Sequence, residues 1–223
     1  MTRSSARISS RISSRVAVLA FALAFICLSG CASPRQGPEL PEVNIGVAEF
    51  SQPRSTMDML AGYMAENAPR VPEKSMTALD MTLYNVLTTE TKRSFAPADT
   101  FLECRDAKAP GQTTGRVAAL KHWVAVGNCM KVDFLLVPQI IELHEREGGE
   151  AGVTRPAGVI MDLFMVDVKN AVLTSRSHFD ETQAALSENL LETGKFLSRG
   201  GKWITATELA REGMVKAIKD LGL

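Results

Sequence analysis

The run V-D-F-L-L-V-P-Q-I-I-E-L-H, Val132 to His144, decides the fold. It is the most hydrophobic stretch of the body, and it alternates poorly because both sides of the extended chain are apolar. A strand in the middle of a sheet, covered on both faces, has that composition. Pro138 cannot donate a ladder hydrogen bond, so a bulge or an edge register is expected there. Downstream, Gly158 to Val168 and Val172 to Phe179 are β-rich runs around Lys169-Asn170-Ala171, the pattern of a hairpin. Upstream, Val43 to Phe50 alternates apolar with small or polar residues and reads as a first strand.

Helices fill the spaces between. From Pro72, with Glu73 next, Met76, Leu79, Leu83, Val86 and Leu87 fall on one stripe. Ser51 to Val71, broken by Pro53, Gly62 and Pro69, leaves room for a short helical turn around Met57, Leu60, Ala61 and Met64. Ser94 to Leu102 reads as a second strand. Gly111 and Gly115 bracket a polar loop, and Val117, Leu120 and Val124 then mark a second amphipathic helix that Gly127-Asn128 would stop. Glu145 to Pro156, rich in glycine, reads as a mobile acidic loop. A helix over about Ser187 to Leu197, a break at Gly200-Gly201 and a last helix complete the chain. Thr205 and Glu208 form a capping box for that helix, whose packing stripe is Leu209, Gly213, Ala217, Ile218 and Leu221. The expected fold class is α+β: a mixed, mainly antiparallel sheet, in the order β-α-β-α-β-β-β-α-α, with helices packed on it.

Composition narrows the function. The 223 residues carry 25 Lys+Arg against 25 Asp+Glu and are 45% hydrophobic. Four arginines (Arg3, Arg7, Arg11, Arg15) and no acid lie in the first 30 residues; without these arginines the remainder has 21 basic groups against 25 acidic. An acidic body argues against nucleic-acid binding, which normally needs a clustered basic excess. The size suits a single domain of about 100–200 residues.

The amino terminus points to a compartment. After a Ser/Arg-rich stretch, Val16 to Leu28 is uncharged but shorter than the roughly 20 residues that a spanning helix needs. A basic flank, a short apolar core and small residues make a secretory signal peptide. Leu28-Ser29-Gly30-Cys31 resembles the lipobox of bacterial lipoproteins. That resemblance implies cleavage before Cys31, with a diacylglycerol and an N-acyl chain as its covalent modification. A single myristoyl chain anchors marginally, so three chains would hold the protein durably. Ala32 and Ser33 follow without an acid, which in the enteric pattern favours the outer membrane, facing the periplasm. The expected division is 1–30 signal peptide, 31–42 lipidated cysteine and Pro-rich tether, and 43–223 a single periplasmic domain. In an oxidising compartment Cys104 and Cys129 make a candidate disulfide, with two buried thiols as the alternative.

Chemistry-bearing motifs are few. Glu142, His144, His178 and Asp180 would make a mixed metal site only if their strand ends were neighbours, and Glu145, Glu147 and Glu150 would chelate calcium only with loop carbonyls. No metal site, catalytic residue or other cofactor is therefore assigned. The G-x-S-x-G elbow and the phosphate-binding glycine motifs are missing. One constellation has hot-spot chemistry: Arg199, Lys202 and Trp203 around two glycines, a candidate partner-binding turn. The alternative is that Trp203 packs under the last helix.

The segments V-D-F-L-L-V-P-Q-I, S-H-F-D-E-T-Q-A-A-L-S-E-N-L and R-G-G-K-W-I-T-A-T-E-L-A resemble a group of small bacterial envelope lipoproteins. Their domain is similar to the amino-terminal domain of TolB and to the periplasmic domains of CsgG and LpoB. The resemblance implies a non-catalytic, lipid-anchored protein whose domain binds a periplasmic or outer-membrane protein partner in an envelope assembly. The oligomeric state stays open. One alternative is an oligomeric accessory ring of an export system, as the lipoprotein PelC forms for an exopolysaccharide; another is a metal-dependent envelope enzyme.

Overall fold

Val132 to His144 forms the spine of the sheet. In the computed structural model, which describes residues 43–64, 67–107, 115–183 and 193–223, β1 (Ile45–Val47) runs parallel to β2 (Phe134–His144). On the other side of β2, β5 (Gly158–Asp167) and β6 (Val172–Thr182) follow antiparallel, giving the order β1-β2-β5-β6. Leu135, Leu136, Val137 and Ile140 are all buried. Neighbouring side chains thus face separate cores, and each fully buried aliphatic contributes about 1.5–3 kcal/mol. The class is α+β, with a mixed, mostly antiparallel sheet.

Pro138 sits in the central strand rather than at an edge. Its carbonyl accepts from Ser51 N–H at 3.1 Å, while Leu136 O accepts from Ala48 N–H at 2.9 Å. The chain just after β1 therefore bulges between Ala48 and Ser51, opposite the proline that cannot donate. A second irregularity, at Ile141, interrupts the pairing with β5.

One face of the sheet carries α1 (Glu73–Glu90) and α5 (Ala206–Leu221). Leu79, Leu83, Val86 and Leu87 pack there with Leu209, Met214, Ile218 and the inward residues of β2 and β5. Thr205 caps α5 through the expected box: its hydroxyl accepts from Glu208 N–H, and Glu208 accepts from Thr205 N–H at 2.7 Å. The Thr205 backbone N–H, and after it the Thr205 hydroxyl donating at 2.8 Å, hold the Glu208 carboxyl below its usual pKa. Gly213 lets α5 approach closely, since a Cβ there would stand 2.5 Å from Met161 Cε.

The opposite face carries α2 (Ala98–Cys104) and α3 (Arg116–Met130). Three expectations need correction here. Ser94 to Leu102 is not a strand: only Phe95 bridges Ile45, and Pro97 then opens α2. Pro97 has no N–H to continue a ladder, and Phe101 and Cys104, spaced by three, bury one helical face. The inward face of α3 is Trp123, Val126, Gly127 and Met130, whereas Val117 is 60% exposed. Leu120 and Val124 of the expected stripe do pack, half-buried, beside the indole, so only Val117 falls outside the core. Gly127 does not stop that helix; a Cβ there would lie 2.4 Å from Val168 Cγ2, so the glycine serves close packing. The helix ends instead at Lys131, in the left-handed region with φ 56°.

Glu145 to Pro156 is also more ordered than expected. It folds into a ribbon of β3 (Glu147–Gly149) and β4 (Gly152–Arg155), turned at Glu150 and Ala151, with Gly148 at φ 119° where the register shifts. The short α4 (Thr193–Ser198) follows β6, and the rest of the helix expected from Ser187 lies outside the described residues. The observed order therefore replaces the second strand by a helix and adds a ribbon.

Candidate functional site

Between α1 and α2, beside β1, lies an open cleft of about 1070 Å3. The sequence builds it simply. The stripe of α1 faces the sheet, so Met81 and Tyr84 project outward, 69% and 67% exposed. Opposite them, α2 presents Leu102, 47% exposed. Leu83, Leu87, Phe95 and Phe101 line the floor. Large apolar groups gathered in solvent around a concave surface characterise interaction sites more than packing.

The cleft is also charged. Among the described residues Glu49, Asp80 and Asp99 line it with one base, Arg93, whose guanidinium donates to Gly222 O at 3.4 Å. Asp80 accepts from Phe50 N–H at 2.6 Å. Burial pushes its pKa up to about 6; the Phe50 bond opposes this, and the nearby Glu49 charge adds to it. The wall formed by α2 is fixed covalently, because Cys104 is bonded to Cys129 of α3, with Cα atoms 5.6 Å apart.

The expected residues fall elsewhere. Cys31, with the expected signal peptide and the expected tether, lies outside the described residues. Arg199 is largely buried and spans two carboxylates, Glu181 at 2.6 Å and Glu212 at 2.5 Å. Its hydrogen bond to Glu212 is the main cause of its raised pKa. Burial alone would raise the Glu181 pKa, but bonds from Arg199 and Lys195 outweigh it and hold this carboxyl below its usual range. Lys202 pairs with Glu150 at 3.1 Å, on the surface. Trp203 packs edge-on against Phe196, and its backbone N–H donates to Glu150 O at 3.0 Å. Arg146 donates to Trp203 O. This turn thus clasps the β3–β4 ribbon to the start of α5, and the guanidinium of Arg199 is committed internally.

The candidate metal ligands are not gathered. Glu142 and Asp180 stand on either side of Ile160, because β5 lies between their strands. Two strand spacings, about 9.6 Å, separate such positions. His144 lies against Gly158 at the strand end. His178 is instead bound to Asp162, a fully buried carboxylate, through Nδ1 at 2.8 Å. Arg176 holds the same carboxylate with Nε at 2.8 Å and Nη2 at 3.0 Å. The loop acids are committed too: Glu145 accepts from Ala206 N–H at 3.1 Å, and Glu147 lies 3.9 Å from Arg155.

Sequence reasoning missed the cleft. Its one signal was that Met81 and Tyr84, three apart, lie off the α1 stripe; nothing linked them to Leu102.

No protein-family model matches this chain, and no curated protein matches it. Among solved structures it is similar to a PelC dodecamer from Paraburkholderia phytofirmans, at 12% identity and a TM-score of 0.46, over 84% of this chain and 94% of that one. It is also similar to the hypothetical protein CT253 from Chlamydia trachomatis, at 11% identity and a TM-score of 0.39, over 79% and 92%. Likeness this distant transfers no function to this chain.

Proposed function

We propose that this chain is a non-catalytic lipoprotein of the outer membrane, anchored through acylated Cys31 and facing the periplasm, whose body docks a partner protein in an envelope assembly. The observation that carries the docking role is the cleft between α1 and α2. Met81, Tyr84 and Leu102 stand exposed around an apolar floor, with an acidic rim. Interfaces concentrate their energy in such aromatic and methionine anchors over a desolvated centre. The L-S-G-C sequence before Ala32 supports the anchor. The tether of about 30 Å, at 3.1 Å per extended residue, would let the body search near the membrane without leaving it.

The test is recovery of a partner from crosslinked, detergent-solubilised envelopes by wild-type protein and by Tyr84→Asp. A discrete partner captured by the wild type and lost in the variant is expected. Recovery of no specific partner, or equal recovery by both forms, contradicts the reading.

A further inference from the structure

An edge strand carries unpaired N–H and C=O groups along its outer side. The two edges here differ. At β1, Phe95 bridges Ile45 and Ala96 N–H donates to Ile45 O at 2.8 Å, so that edge is partly covered. The longer β6 packs on β5 and α5, and no other described element lies along it substantially. A bulge at Thr174 ends the regular pairing, leaving Ser175 to Thr182 as an even run.

We infer that β6 is the docking edge for a second copy of this chain, added antiparallel across a two-fold axis through His178, so that two four-stranded sheets become one. The strand's own charges select this occupant and this register. An axis perpendicular to the sheet keeps every residue on its own face, so positions equidistant from His178 meet. Arg176 then opposes the second copy's Asp180, and the reverse pair forms equally. Asp180 is exposed and has no ion pair among the described residues. Arg176 commits Nε and Nη2 to Asp162, Nη2 also meets His178 Nδ1 at 3.3 Å, and Nη1 has no hydrogen bond among the described residues. Centring the axis on Ser177 would set Arg176 against His178. Centring it on Phe179 would set Arg176 against Thr182. Opposite charges directly across a strand pair stabilise it, and like charges destabilise it. The surface is isologous, so assembly closes at two copies.

The experiment uses the full-length chain in detergent micelles, by sedimentation and by mild oxidation of His178→Cys. A concentration-dependent dimer is expected, with a reducible covalent dimer from His178→Cys and none from Val172→Cys. Asp180→Lys, at an exposed position, should keep the fold and weaken the dimer at least tenfold, through two like-charge contacts. A monomer at every concentration, a closed oligomer larger than two, or a dimer indifferent to Asp180→Lys overturns the inference. Partner capture at the α1–α2 cleft is read separately and can stand or fall alone.

Discussion

Replacing Cys104 and Cys129 together by alanine should destabilise the body and loosen one wall of the cleft before anything else. The bridge closes a sequence separation of 25 residues. In the chain-entropy model a loop of that size removes about 12 cal/mol/K from the unfolded state, or about 3.5 kcal/mol at room temperature. The local effect is sharper than the global one. The seven residues of α2 are too few to hold a helix unaided, so its position depends on Phe101 and on the bridge. Urea unfolding of the oxidised full-length chain, with and without reductant, measures the loss. With a slope of about 2 kcal/mol/M, the midpoint should fall by about 1.7 M. Reductant should move the wild type by the same amount and leave the double variant unmoved. Hydrogen exchange should show Ala98–Cys104 losing protection first. A shift below about 1 kcal/mol, or loss of protection elsewhere first, would refute the reasoning.

Three further outcomes follow from single contacts. Asp80 keeps its proton to about pH 6 in the folded chain, against a reference value of 3.8. Wild-type stability should therefore fall as pH rises between these values, and Asp80→Asn should flatten that fall and melt higher than wild type at pH 8 but not at pH 4. Gly213→Ala should cost about 1–3 kcal/mol by chemical denaturation, because its methyl meets Met161 and the Phe179 ring, overriding the usual helix gain. Arg199→Met should cost about 2 kcal/mol at pH 7, where Glu181 and Glu212 lose their shared cation. Because Glu181 is held below its reference pKa of 4.5, that cost should shrink as pH falls through its folded value, which paired melting curves at pH 7 and pH 3.5 would register.

Much of the fold was legible because long patterns constrain the chain strongly. The doubly apolar Val132 to His144, the stripe Leu79-Leu83-Val86-Leu87 and the Thr205-Glu208 box each have one physical solution, and each formed. Short runs have more than one. Ser94 to Leu102 holds as many apolar groups as an edge strand needs, but Pro97 and the Phe101–Cys104 spacing turned it into a helix. In α3 the core face is wider than the Leu120–Val124 stripe, because Trp123, Val126 and Met130 are buried beside it and Val117 is left outside. Gly127 shows the same ambiguity, since a glycine for close packing and a glycine for a helix stop look alike in sequence. The Asp162–Arg176–His178 cluster and the cleft were invisible for another reason. Both depend on which strands and helices become neighbours, and a lone exposed Tyr84 or Met81 carries no signal by itself.

The docking role can be tested in living cells by placing a photo-crosslinking amino acid at position 84 of the full-length chain, with position 216 on α5 as the control. The account predicts one discrete heavier adduct from position 84, absent from position 216 and absent when Cys31→Ser releases the chain from the membrane. No adduct from position 84, or the same adducts from both positions, would contradict it.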